Sequence, residues 1–421
     1  MIDRHRIVAA IRTPTGTVDL DVVSADLALD EARAPYGQAR LVCAMPSPAD
    51  RARLDLRDGE LRLTVESTQD VGGQWDLADL TADIGGSMAA LTALMGGQPL
   101  WVLTNRYYRP FNPGGGASTM FRAFDLYVLE REFDDVTQQL TVQAASDEAR
   151  LLGDALIQST PITPGITALR ALCQLVLNRY GAVLQPGPDD AVVAEPDATV
   201  WAPGVRAWDY LNPMLEAASL RLWCDELRVW RLTERQSTLP GSVVLTPTGT
   251  MIGHRDTMTL DPDVWYDAVV IEYRWSDQAT GATTYDYDVA GASPARSMLR
   301  LERNAPFPGP GAAQGILDRG RGRGRVVDIE AINDYRVTPG MAATIVPPVP
   351  DEDVASEAGY VAGVTWRLPD ARMRVSTRTL IDVPPRSWLD FAVGLSWLEI
   401  PPGQSWLELT TRREVVTHGE R

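Results

Sequence analysis

Residues Ala207–Leu232, AWDYLNPMLEAASLRLWCDELRVWRL, predict a short helix that runs directly into a tight β-hairpin. Asp209 or Asn212 is expected to cap the helix. Apolar residues follow at helical spacing and predict one buried stripe: Leu211, Met214, Leu215 and Ala218. The segment carries no reactive group, so it predicts a scaffold.

The hairpin half of this segment is rich in arginine and tryptophan. A turn centred on residues 225–226 would set Trp223 opposite Arg228 and Arg221 opposite Trp230, so two guanidinium groups would lie over two indole rings. Contacts of this kind stiffen a hairpin and do not recognise a substrate. The hairpin therefore predicts a protein whose work is shape and assembly.

Composition narrows the classes of protein further. The chain has 421 residues and a net charge of −17, and all 39 of its basic residues are arginine. An acidic surface repels DNA and anionic membranes, so a nucleic-acid coat or membrane binder is disfavoured.

Residues 1–20 lack an apolar core of signal-peptide length, which predicts synthesis in a cytoplasm. The odd number of cysteines, Cys43, Cys173 and Cys224, predicts buried reduced thiols.

The first part of the chain alternates with the period of antiparallel strands. Apolar residues on both sides of Asp58-Gly59 predict a hairpin over 54–65, and a second hairpin is expected from a strand over 121–133 and a return over 136–144. Ser146-Asp147 then predicts a short helix through Leu152. The Gly- and Pro-rich segment 104–120 predicts an exposed loop.

The middle and last parts predict a change of structure and a return to strands. A helix is expected over 163–181, which with the opening segment makes a small α/β unit. Strands follow over 265–275 and 285–289, with Tyr285, Tyr287 and Val289 facing the first of them, then a helix over 311–319. The last hairpin, around Pro369-Asp370, places Tyr360, Val364 and Trp366 inward against Met373 and Val375. Its opposite face carries a row of arginines, which we predict to be a partner interface: Arg372, Arg374 and Arg378.

The C-terminal tail repeats a Ser-Trp-Leu-acid unit every nine residues. The tryptophans of the repeat are Trp388, Trp397 and Trp406. Tryptophan is enriched at protein interfaces, although packing onto the chain's own body explains the repeat equally well. We predict a docking arm or a small strand-turn-strand module.

No motif predicts catalysis, a cofactor or a metal. His5, His254 and His418 lack the spacing of a zinc site, and no nucleophile elbow is present. The acidic pair at 134–135 is expected in a hairpin turn and the acidic cluster at 351–353 in a Pro-rich loop, both solvated. The basic run RGRGRGR at 319–325 could contact nucleic acid, but a solvated helix end or a contact to an acidic neighbouring subunit is the preferred interpretation.

Three stretches together carry a family resemblance. They are WYDAVVIEYRW at 265–275 with Gly281, the helix-strand-turn series over 312–341 with VTPGM, and GYVAGVTW at 359–366 with MRVSTRT at 373–379. In this order they resemble the baseplate-hub or tail-hub proteins of tailed bacteriophages, whose fold is shared with contractile injection spikes. Asp267 stands where that family usually has asparagine.

The resemblance implies a mainly β fold with two tail-tube-like antiparallel β-barrels. The first barrel would cover residues 1–154 and the second 258–382. An α/β insert over 155–257 would lie between them, and a tail over 383–421 would follow. It implies a homotrimer in the virion tail tip, between a tail tube or distal tail protein and a spike, fibre or receptor-binding protein. The C-terminus of a tape-measure protein is a further partner in this reading. DNA would pass through an acidic channel without specific binding.

Two other classes of function stay open at this point. The 12 tryptophans and 12 tyrosines suit a glycan-binding module, and the many carboxylates allow an Asp/Glu-dependent cell-wall hydrolase. The barrel-like strand pairs that flank an α/β insert, together with the absence of a recognisable catalytic motif, favour a structural, non-enzymatic protein over both.

Overall fold

A computed structural model describes residues 4–57, 59–71, 118–193, 195–235, 237–247, 250–258, 265–276, 281–323, 325–348 and 356–383. Several sequence predictions lie outside these residues. They are Asp58 of the first predicted turn, most of the loop over 104–120, the acidic residues 351–353, His418, and the tail with Trp388, Trp397 and Trp406.

The first part of the fold is mainly antiparallel β-structure. Its elements are β1 (Arg4–Thr13), β2 (Gly16–Leu20), β3 (Val22–Asp30), β4 (Gly37–Ala44), α1 (Pro48–Arg53), β5 (Arg62–Val71), β6 (Ser118–Asp134), β7 (Gln139–Ala145) and α2 (Glu148–Gly153). The predicted hairpin of β6 and β7 and the helix after Ser146-Asp147 are confirmed. The hairpin predicted over 54–65 is wrong, because residues 54–57 form a turn after α1 and the one strand of this segment, β5, pairs with β1 and β6.

The insert contains α3 (Leu169–Asn178), α4 (Ala207–Ala217), β8 (Leu220–Cys224) and β9 (Trp230–Glu234). The helix predicted from residue 163 begins only at Leu169, because the preceding residues are extended and Leu169 N–H donates to Ala191 O (3.0 Å). Gly181 ends this segment at a φ of 66°, as predicted.

The helix and hairpin of the opening segment are confirmed, but two details are wrong. No side chain caps α4, which begins after Arg206. The hairpin turn is longer than predicted because Asp225 Oδ1 accepts hydrogen bonds from Leu227 and Val229 N–H, so Trp223 pairs with Arg231 and Cys224 with Trp230.

The second part supplies β10 (Ser242–Leu245), β11 (Met251–Met258), β12 (Ala268–Ser276), β13 (Thr283–Gly291), β14 (Met298–Arg303), α5 (Ala312–Arg323), β15 (Arg325–Ile332), β16 (Ala342–Ile345), β17 (Ser356–Leu368) and β18 (Arg372–Val383). The hairpin around Pro369-Asp370 is confirmed, with Val364 opposite Val375 and Trp366 opposite Met373.

One continuous sheet unites the two strand-rich parts. Its order is β11-β15-β18-β17-β3-β4-β7-β6-β5-β1-β2, with β16 and β10 added beside β17. The seam is the antiparallel pair β3–β17, which sets Leu27 opposite Trp366 and Leu29 opposite Val364. These four side chains are buried in one shared core. Within the described residues no sheet closes, so the two predicted barrels are not confirmed.

A separate three-stranded sheet, β13-β12-β14, packs against α5. Ile271 and Tyr273 of β12 are buried under the helix. The face predicted for the returning strand is wrong. Tyr273 lies opposite Asp286, so Tyr285 and Tyr287 point to the outer face and are about half exposed.

A glycine within the basic run lets α5 approach Tyr266 closely. A Cβ built on Gly320 would lie 2.3 Å from the Tyr266 ring, which is itself buried, whereas one on Gly315 would meet nothing nearer than Ser219 Oγ at 3.6 Å. At least one glycine of RGRGRGR is therefore required by packing.

We expect Gly320→Ala to destabilise the protein by about 1–3 kcal/mol through overpacking. Gly315→Ala is the matched control and should gain up to about 1 kcal/mol, because alanine is the better helix former and the site has room. Urea unfolding of both variants measures the difference. Shifts of the same sign in the two variants would contradict the packing.

Candidate functional site: a joint of arginines and carboxylates

The β8–β9 hairpin is held between the two strand-rich parts by its turn. Glu226 O accepts a hydrogen bond from Asp125 N–H of β6 (2.7 Å), and the Glu226 carboxylate pairs with Arg122 of the same strand. Arg122 also donates to Tyr335 O (3.1 Å) and lies 5.1 Å over the ring of Trp366. A single guanidinium therefore connects the first part, the hairpin and the second part.

A second contact beside it is an ion pair buried from solvent. Arg62 and Asp147 are 6% and 5% exposed and pair directly. Arg62 Nε also donates to Asp125 Oδ1 (3.0 Å), and Arg228 of the hairpin turn donates to the other oxygen of Asp147 (3.2 Å). Shared partners of this kind satisfy a buried charge that would be costly alone.

An aromatic stack forms the third contact. The rings of Tyr36 and Trp223 meet edge to face at 4.7 Å, and the Arg221 guanidinium lies 5.1 Å and 5.2 Å from their centroids. Arginines do stack on Trp223, but the predicted partner Arg228 is wrong, because Arg221 and Arg231 (5.9 Å) lie over this ring instead. The stacking predicted on Trp230 is wrong, because that ring is buried in the core of the insert.

We call these three contacts the joint: the hairpin β8–β9, with Tyr36, Arg62, Arg122 and Asp147 from the first part. The sequence singled out only the hairpin members of the joint, Arg221 and Trp223, and no pattern indicated Tyr36, Arg62 or Arg122. Ser146-Asp147 indicated only a helix cap, and Arg62 follows a turn in which exposed charges are common. The one available signal was a charged pair directly before an apolar helix.

The predicted arginine row lies on β18 and has carboxylate partners within the chain. Arg372 Nη1 lies 2.9 Å from Glu330, Arg374 Nη2 lies 2.6 Å from Asp328, and Arg378 pairs with Glu31. Arg372 and Arg374 keep about half of their side-chain surface exposed, whereas Arg378 keeps 19%. Their role in a partner interface stays a prediction.

Asp267, Arg325 and the three cysteines, which the sequence also singled out, have defined contacts or burial in the structure. The Asp267 carboxylate accepts hydrogen bonds from Arg296 and Ser297 N–H (3.0 Å each), which lower its pKa. Arg325, at the end of the basic run, pairs with Asp256 (2.8 Å) and with other acids of its own chain. Cys43, Cys173 and Cys224 are buried and unpaired, as predicted.

The described residues contain no group of three or more His, Cys, Asp or Glu side chains that could hold a metal ion. His254 Nε2 lies 3.6 Å from Glu357 Oε2. Among the helices in the described ranges, none is both long and apolar enough to span a membrane.

The geometry is that of a scaffold: a continuous antiparallel sheet whose insert is fastened by buried arginine–carboxylate pairs. Two solved structures are similar to it over nearly their whole length. The tail protein from Neisseria meningitidis matches with a TM-score of 0.50 at 9% identity, covering 88% of this chain and 96% of that one. The 43 kDa tail protein of prophage MuSo2 from Shewanella oneidensis matches with a TM-score of 0.50 at 10% identity, covering 89% and 98%.

The chain therefore has the fold of phage tail proteins, which confirms the resemblance at the level of the fold. No family profile matches the sequence. The LPS-assembly protein LptD of Chromobacterium violaceum is 29% identical over 166 residues, 36% of this chain. The chain spans about a fifth of the length of that relative.

Proposed function

We propose that this protein is a structural hub of a phage tail tip. In this role it forms a trimeric ring that joins the sixfold tail tube or distal tail ring to the central spike or fibre and lines the DNA exit channel. The observation that carries the proposal is the likeness to two tail proteins over almost the entire length of both chains. The buried pairs of the joint suit a component that must keep its shape.

The proposed trimer would present six tube-like segments, two from each chain, to a sixfold partner. The acidic net charge of −17 suits a channel through which DNA passes without binding. We further propose that the half-exposed Arg372 and Arg374 face a neighbouring subunit, and that the tryptophan tail recruits a spike, fibre or receptor-binding protein. In this role the protein is not an enzyme.

Native mass spectrometry of the purified chain, together with cryo-EM of the phage particle, tests the proposal. We expect a species of three 46.1 kDa chains and a threefold ring at the tail tip. A chain that stays monomeric at micromolar concentration and forms no ring in the particle would contradict the proposed hub function. Deletion of residues 386–421 should leave the trimer intact while the tail-tip partner is lost.

The outer face of the sheet β13-β12-β14 favours a second candidate, glycan binding. Tyr285 and Tyr287 lie two residues apart on one strand, about half exposed, and Arg274 lies 5.5 Å over the Tyr285 ring. Aromatic faces beside charged donors are suited to sugars. Glycan-array binding that disappears in the double variant Tyr285→Ala and Tyr287→Ala would favour this role over a purely structural one.

A further inference from the structure

Glu148, in the first turn of α2, is completely buried. Its Oε2 accepts hydrogen bonds from Tyr36 N–H (2.8 Å) and from the Ser146 hydroxyl. Its Oε1 accepts none within the described part of the chain. A buried carboxylate with an unsatisfied oxygen costs more free energy when ionised than when protonated. The charge of Glu148 is therefore sensitive to what covers it.

The β8–β9 hairpin is what covers it. The charge of Arg221 and the backbone N–H of Cys224, a hydrogen-bond donor toward the carboxylate, both favour the ionised form of Glu148. Arg221 is stacked on Tyr36 and Trp223, and its Nη2 is buried without a hydrogen-bond partner among the described residues. Glu148 thus lies at the boundary between the first part of the fold and the insert.

The charged groups around this boundary come from all three parts. Asp30, Glu31 and Glu148 of the first part surround Arg221 of the hairpin, and Arg378 of β18 pairs with Glu31. The Cys224 thiol faces Asp147, Glu148 and Asp225, and burial raises its pKa. Asp147 is paired with Arg62 and Arg228, and Asp225 with Arg231, which leaves Arg221 as the guanidinium whose charge acts on Glu148. An ionised Glu148 is therefore incompletely compensated.

We propose that the protonation state of Glu148 controls how stably the β8–β9 hairpin packs at the joint. The hairpin stays packed (the closed state) while this carboxyl is neutral and separates from the first part (the open state) more readily once the carboxyl ionises. The physical reason is that opening exposes Glu148 to water, which solvates its charged form far better than the closed joint does. The proposal concerns a single chain and does not rest on the proposed assembly.

The direction of the pH dependence follows from linkage. Burial raises the pKa of Glu148 from 4.5 to about 7 in the closed protein. The closed state consequently keeps a proton that the open state releases, so closure is most stable below pH 4.5 and weakens as the pH rises through 7. Full solvation of Glu148 on opening would make the opening equilibrium about 300-fold larger above pH 7 than below pH 4.5.

Hydrogen exchange of the intact protein, followed by mass spectrometry from pH 5 to 8.5 and corrected for intrinsic rates, tests this. We expect the hairpin peptides over 220–234 to lose protection as the pH rises, by tens of fold or more, while the central strand β7 changes less. Glu148→Gln, which mimics the neutral carboxyl, should abolish this dependence. Glu132→Gln, at an exposed position on β6, is the matched control and should keep it.

A second variant keeps the proposal testable if the Glu148→Gln change disturbs folding. The Ser146 hydroxyl lowers the pKa of Glu148 by hydrogen bonding to it, so Ser146→Ala should move the midpoint of the transition to higher pH. Hairpin protection that is independent of pH in the wild type, or unchanged pH dependence in Glu148→Gln, would overturn the proposal.

Discussion

Replacing Arg62 by alanine is expected to lower the free energy of unfolding by about 3–5 kcal/mol, because it removes one partner from a buried ion pair. Asp147 would stay buried with only the longer contact to Arg228, and Asp125 would lose a donor to its carboxylate and another to its carbonyl. Urea or thermal unfolding of the full chain measures the loss.

Arg57→Ala is the matched control for this change. The Arg57 side chain is 89% exposed and pairs with Asp55, so its removal should cost less than about 1 kcal/mol. In a double-mutant cycle, Arg62→Ala combined with Asp147→Asn should cost less than the sum of the two single changes. Additive costs would mean that the two side chains do not interact in solution.

The second large effect is expected at the seam between the two parts. Trp366→Ala should cost about 3–5 kcal/mol, since the indole is fully buried and its removal leaves a cavity. The ring packs against Phe124 and Tyr335, and its Nε1 donates to Asp334 O at 3.0 Å. Because the core is shared, strands of both parts should lose hydrogen-exchange protection together.

Trp366→Phe is the control that keeps most of the apolar contact, and it should cost clearly less than the alanine change. The peptides to compare are β3 from the first part and β17 from the second, which pair across the seam. Loss of protection confined to β17 would contradict a shared core.

Much of the fold could be predicted because periodicity in this sequence is strong. The strands of β6, β7, β17 and β18 alternate apolar and polar residues, and burial of one face follows directly from that alternation. The helix–hairpin order over 207–232 is equally local. A local contact also explains one wrong prediction: Asp225 accepts hydrogen bonds from Leu227 and Val229 N–H, which lengthens the hairpin turn.

The joint could not be predicted in the same way. Arg62 and Asp147 are separated by 85 residues, and Arg122 and Glu226 by 104. In the sequence each is an ordinary charged residue next to a turn or within a strand. Only the packing of the hairpin onto β6 removes them from water and gives each a partner.

The sequence by itself was enough to predict a mainly β fold and showed no recognisable catalytic motif. Both can be read from the chain because apolar periodicity and residue spacing are local properties. The tertiary structure decided three further things: that the two strand-rich parts share one sheet through β3 and β17, that the hairpin is fastened by buried arginines, and that Glu148 lies where its charge is costly. These depend on contacts between distant residues and on desolvation, neither of which is encoded in any single segment of the chain.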